Sequence, residues 1–125
     1  MILNLIAVFI GGGLGAVLRY LTGVLCTRLI PFGFPFATFF VNFLGSFLLG
    51  IIFAIFVHKN GLSPQLNLAL GVGFCGGLTT FSTFSFEVFD MLKMGNYFTA
   101  LLYIVLSLIV GLLGIYLGLK CGEIF

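Results

Sequence analysis

Charged side chains are so sparse in this chain that their positions alone divide it. They fall at Arg19, Arg28, Lys59, Glu87, Asp90, Lys93, Lys120 and Glu123, with His58 beside Lys59, and they leave four apolar stretches at about 2–27, 34–57, 66–89 and 97–119. Each stretch is long enough to cross a hydrocarbon layer of about 30 Å as a helix. Within that layer the backbone must satisfy its own hydrogen bonds, which for single spans means helix. With 62% hydrophobic and 6% charged residues, the chain could not cover the surface of a soluble domain of its size. The reading is an all-α integral membrane protein of four transmembrane helices, one domain over residues 1–125. The opening MILNLIAVF lacks the basic region of a cleavable signal, so the first span is expected to stay in the mature protein.

Several function classes are excluded by what is missing. Cys26, Cys75 and Cys121 are odd in number and show no CxxC spacing, so they read as buried small apolar residues rather than a disulfide or metal framework. One histidine without a His/Cys/carboxylate cluster argues against transition-metal chemistry. Neither a Ser/His/Asp set nor a phosphate-cradling loop is present, so no enzyme is expected. Nor is a nucleic-acid partner.

Four spans place the two termini and the 58–65 loop on one side, and the loops near 28–33 and 90–96 on the other. Lys59 and Lys120 then face Arg28 and Lys93, two basic residues per side. Orientation follows the Lys/Arg bias of short loops, and here the bias is zero. Such a tie is either uninformative or the mark of dual topology, in which both orientations insert and pair as an antiparallel homodimer. Small-residue spacings recur at Gly11/Gly15, Gly12/Ala16, Ser46/Gly50, Ser107/Gly111 and Gly114/Gly118. Most are expected to pack the monomer, with at least one face left for a dimer contact.

Polar groups at membrane depth are costly and need a partner or a role. Asn42 sits deep in the second span, with Ser46 one turn later on the same face. Its amide either bridges two helices or offers donors along a pathway. Tyr103 and Ser107 form a second short polar track in the fourth span. Arg19, the one permanent cation inside an apolar stretch, either snorkels to the interface or raises the potential at the mouth of an anion route.

The segment GFCGGLTTFSTFSFE, residues 73–87, is the most unusual. Its tandem Gly76–Gly77 weakens the helix and frees carbonyls, which membrane proteins tolerate only where protein or a watery cavity surrounds them. A break near Gly76–Thr79 is expected, a device used to present carbonyls to cations. Beyond it, Phe81 and Phe84 share one stripe, while Thr79, Ser82 and Thr83 point largely elsewhere and Thr83 lies one turn before Glu87. Alone, the two rings read as packing in a chain with 17 Phe. Set beside Asn42, the hydroxyls and Tyr103, their positive edges complete a series of weak positive poles without a full cation. Such a set suits a small anion that must shed water and still leave.

GGGLGAVLRY at 11–20, NFLGSFLLG at 42–50, GFCGGLTTFSTFSFE at 73–87 and then Tyr103 and Ser107 resemble, in order and over essentially the whole chain, the bacterial fluoride channel family (Fluc, also called CrcB). The resemblance implies an antiparallel, dual-topology homodimer with two fluoride pores in the cell (inner) membrane, giving passive fluoride efflux. It implies that Phe81 and Phe84 meet the anion with their ring edges and that Asn42 is the facing donor. Thr83, Tyr103 and Ser107 would continue the polar track, with Glu87 toward its end and Arg19 at the vestibule. It further implies a structural sodium ion at the dimer centre, held by the backbone carbonyls of Gly76 and Thr79, with Gly77 as the alternative to Gly76. Gly111 departs from the pattern, since some relatives carry a hydroxyl there, so the track is expected to be shorter at that end. The main rival, a four-span proton-coupled exporter of cationic drugs, needs a deep carboxylate in the first span, which holds only Asn4 and Arg19. A second rival is a non-transporting membrane subunit, in which Asn42 and the hydroxyls serve only to hold helices together.

Overall fold

The computed structural model describes residues 1–31, 33–59 and 61–125; the side chains of His58 and Lys59, counted in the charge reading above, lie outside the described set. Four helical rods are long and apolar enough to cross a membrane, ending close to the expected limits at Ile2–Leu29, Phe36–Val57, Pro64–Lys93 and Tyr97–Ile124. The first is α1 (Ile2–Leu29) and the second α2 (Phe36–Lys59). The third is assembled from α3 (Pro64–Asn67), a π-helical stretch (Leu68–Cys75), α4 (Gly76–Leu78) and α5 (Phe81–Lys93); the fourth is α6 (Tyr97–Ile124).

Local chemistry explains the ends. Ser63 caps α3 by accepting the Leu66 N–H at 3.2 Å, and Pro64 follows at the first helical position, where its missing N–H costs nothing. At the far end of α5, Asn96 N–H bonds to Met91 C=O at 2.9 Å and Gly95 N–H to Leu92 C=O at 3.1 Å. Gly95 sits between them at φ +79°, the left-handed cap that a glycine reaches without strain. The chain then turns directly into α6.

Without water to drive them together, the helices associate where small residues let backbones approach. The most extensive contact is α2 against α6, and α1 packs mainly on the first half of the third rod. A methyl group added at Gly50 would meet the backbone of Ile115, Gly118 and Leu119, and one at Gly118 would meet Phe47 and Gly50. Gly11 and Gly15 are pressed against the Ala69–Leu78 backbone in the same way, and Gly77 against Gly12. Five of the glycines in the small-residue spacings (Gly11, Gly15, Gly50, Gly114 and Gly118) therefore pack the monomer, as expected of most of them. Gly13, Gly23 and Gly76 meet nothing within 4 Å.

The buried centre is small and lies at the α5–α6 end. Tyr103, Ala100 and Met91 form it, with Phe34, Phe39, Phe84 and Val88 around them. The cysteine expectation is corrected in part. Cys75 is buried, but Cys26 and Cys121 are only half-buried.

Candidate functional site

The site is organised by the break in the third rod, which lies one turn later than the glycines suggested. Gly76 keeps helical dihedrals (φ −65°, ψ −36°), whereas Thr79 (φ −81°, ψ 158°) and Thr80 (φ −152°, ψ 123°) are extended. The tandem glycines are used for close approach to α1, and the threonines carry the break.

Thr79 and Thr80 engage specific partners at the break. Thr79 ends α4 by donating both its N–H and its hydroxyl to Cys75 C=O, at 3.0 and 2.9 Å. Thr80 N–H donates to Asn42 Oδ1 at 2.8 Å, and Asn42 Nδ2 donates back to Thr80 C=O at 3.2 Å. Thr80 Oγ1 accepts the Thr83 N–H at 3.2 Å and caps α5. Because Thr80 N–H turns to Asn42, the Gly76 carbonyl is deprived of the i+4 donor that a continuous helix would supply.

Two cavities meet at Thr80, which lines both. The first, of about 630 Å³, is bounded by Asn42, Ser46, Thr79, Phe81, Phe84 and Ser107, with Gly76 on its wall. Among the described residues no charged side chain lines it. Phe81 and Phe84 stand 6.1 Å apart at 39°, and the Phe81 ring is 80% exposed on the open side. Asn42 has spent one amide hydrogen on Thr80, so one remains to face the cavity. Ser107 Oγ is buried there with no hydrogen-bond partner among the described residues.

The second cavity, of about 480 Å³, is bounded by Arg19, Thr38, Thr83 and Glu87. Glu87 is held on both oxygens: Thr38 Oγ1 donates to Oε1 at 2.6 Å and Tyr103 OH donates to Oε2 at 2.7 Å. Tyr103 is fully buried, and its ring meets Phe84 edge-on at 5.0 Å between centroids. It therefore connects the carboxylate of the second cavity to the aromatic wall of the first.

The ten residues singled out from sequence thus divide into two groups. Asn42, Phe81, Phe84, Ser107, Gly76 and Thr79 line one cavity; Arg19, Thr83 and Glu87 line the other; Tyr103 joins them. Thr38 and Thr80 were missed as site residues. Thr38 lies four residues before Asn42, so the stripe Thr38–Asn42–Ser46 along α2 was there to be extended by one turn. Thr80 was visible only as a hydroxyl beside an aromatic stripe, since its role is carried by its backbone. Among the described residues no three His, Cys, Asp or Glu side chains gather as metal ligands.

Fold and site together define a class: a multi-pass helical membrane protein with a broken span and two adjoining cavities, the larger lined by neutral polar and aromatic side chains and the smaller by Arg19 and Glu87 as well. Residues 6–119 match the family model described as CrcB-like protein, Camphor Resistance (CrcB), and the chain belongs to that family. It is 41% identical over 125 residues to a protein of Azobacteroides pseudotrichonymphae, with 100% of both chains covered. It is 43% identical to one of Gloeothece citriformis, covering 94% of each, and 45% identical to one of Bacteroides fragilis, covering 98% of each. All three relatives are named fluoride-specific ion channel, not enzyme or exporter.

Proposed function

We propose that this protein is a fluoride-selective channel that lets fluoride leave the cell passively across the cell membrane and so lowers its toxicity inside. The observation that carries the reading is the lining of the larger cavity: an amide hydrogen, hydroxyls and phenyl edges, with no full charge. Fluoride is small and strongly hydrated, so a pore must replace its shell with several donors at once and still release it. A fixed cation would bind it too long, and a carboxylate wall would select cations. The relatives' names supply the identity of the ion.

In this reading Asn42, Phe81, Phe84 and Ser107 contact the anion. Thr83, Tyr103 and Glu87 carry the polar track into the second cavity, where Arg19 attracts anions at the vestibule. The working unit is an antiparallel, dual-topology homodimer with two pores. Support comes from the balanced basic residues and from the exposure of Phe81 and Gly76 on the open side of the cavity. Adding three lysines to one loop should lock the orientation and abolish activity unless an oppositely locked partner is supplied.

A structural sodium ion at the dimer centre fits the residues present. The Gly76 carbonyl lacks its helical donor, and Gly76 and Thr79 both border the open cavity. Gly76 is taken as the carbonyl donor because it borders the open cavity, whose described lining does not include Gly77. Two carbonyls from each chain would hold the cation, and its positive charge would lie between the two anion routes. Sodium flux accompanying fluoride flux would count against a structural role.

The exporter reading finds no support, since Glu87, the only carboxylate deep in the bundle, lies in the third span with both oxygens engaged. Fluoride release from proteoliposomes clamped with potassium and valinomycin tests the proposal directly. No release from well-reconstituted protein would end it.

A further inference from the structure

Hydroxyls inside helices usually turn back and donate to the carbonyl four residues earlier. Thr22 does so to Leu18 at 2.9 Å, Thr27 to Gly23 at 2.5 Å, Thr79 to Cys75 at 2.9 Å and Ser85 to Phe81 at 2.9 Å. Ser46 and Ser107 do not. Ser107 Oγ is buried with no partner among the described residues, and no hydrogen bond ties Ser46 to Asn42 C=O one turn back. Both serines line the same cavity, one from α2 and one from α6.

Between these two cavity-lining serines a side chain is missing. Gly111 lies one turn beyond Ser107 on α6, and a Cβ built there would have Ser46 Oγ at 3.9 Å as its nearest neighbour, with nothing else within 4 Å. The Ser46 hydroxyl therefore lies on α2 within ordinary van der Waals reach of the space that a side chain at 111 would occupy. The donor line Tyr103–Ser107 on α6, which loses its next member at Gly111, is continued by a hydroxyl from the facing helix.

We propose that Ser46, with Ser107, forms a two-hydroxyl station for a small, hard anion in the larger cavity, so that Ser46 is a specificity-determining residue of this channel. The inference rests on the fluoride-channel reading given above. Two hydroxyls free of back-bonding can turn both hydrogens toward an anion without first breaking a bond to the backbone. A small hard anion gains most, because its hydration shell is the hardest to replace; a larger halide gains less from each donor.

The test compares wild type, Ser46→Ala, Ser46→Thr and the swap Ser46→Ala/Gly111→Ser in proteoliposomes. Initial fluoride efflux and the fluoride-to-chloride flux ratio are read, with gel-filtration profiles as the folding control. Loss of one charge-assisted hydrogen bond predicts a fall in fluoride efflux of about tenfold or more for Ser46→Ala. Ser46→Thr and the swap, which returns a hydroxyl to the same space from the other helix, should recover to within about threefold of wild type. Unchanged efflux and flux ratio in Ser46→Ala would overturn the station while leaving the channel reading intact. A defect that neither hydroxyl-bearing variant rescues would assign Ser46 to packing and would overturn it equally. Absence of fluoride efflux in wild type would instead reject the channel reading itself.

Discussion

Asn42 holds Thr80 through both ends of its amide, accepting the threonine N–H at 2.8 Å and donating to its carbonyl at 3.2 Å. One side chain on α2 thus supplies the Thr80 N–H with the acceptor it no longer finds in a continuous helix, and adds a donor to its carbonyl. The either/or posed by the sequence, helix bridge or pathway donor, dissolves here, because the amide has a second hydrogen to spare.

Asn42→Ala should leave two backbone groups at membrane depth without these partners. A destabilisation of about 2–4 kcal/mol is expected, read as reduced thermal stability in detergent. Asn42→Asp keeps the acceptor for Thr80 N–H but adds a negative charge beside the cavity, and should stop fluoride flux while losing less stability. Equal melting of Asn42→Ala and wild type would show that the amide does not hold the break.

Thr38 and Tyr103 share the two oxygens of Glu87, so the three side chains should behave as a unit. Tyr103→Phe removes a donor from a half-buried carboxylate and is expected to cost about 1–3 kcal/mol. In the background of Glu87→Gln the same change should cost less. A double-mutant cycle with a coupling indistinguishable from zero would contradict the observed bond.

The two phenylalanines should separate conduction from stability. Phe81 is mostly exposed, so Phe81→Ile should lower fluoride flux by about tenfold or more, if ring edges meet the anion, with little change in melting. Phe84 also packs against Tyr103, so Phe84→Ile should lower flux and cost about 1–2 kcal/mol in addition. Flux unchanged in both variants would remove the aromatic role.

Glycines that look alike in the sequence should respond differently to a methyl group. Gly118→Ala drives a Cβ into the Phe47 carbonyl and the Gly50 Cα across the α2–α6 contact, and should destabilise by about 1–3 kcal/mol. Gly13→Ala meets nothing and should be neutral or slightly stabilising, because alanine is the better helix former. Thermal melts of the two variants in one detergent decide it.

Much of this architecture was legible because hydrocarbon imposes strict rules. Four long apolar runs could only be helices, and Asn42, Ser46, Tyr103 and Ser107 stood out because polar groups are rare at that depth. The tandem Gly76–Gly77 pointed to the right region, and the break falls at Thr79 and Thr80, the far end of the expected Gly76–Thr79 stretch. Glycine's permissiveness is equally suited to a break and to close packing, and only the position of α1 beside Gly77 selects between them. Thr80 was passed over because its bonds to Asn42 use a backbone N–H and C=O, groups that nearly every residue carries.

The sequence by itself determined four membrane helices, the depth of their polar groups and the family to which the chain belongs. Those properties follow from composition, spacing and local motif. Only the tertiary structure decided that Asn42 clamps Thr80, that Thr38 and Tyr103 share Glu87, and that Ser46 faces the gap at Gly111. Each of these joins residues from different helices, at separations of 16 to 65 positions along the chain. Their meeting depends on which small residues let which helices touch, and helix periodicity cannot report it, because it orders side chains only around a single axis.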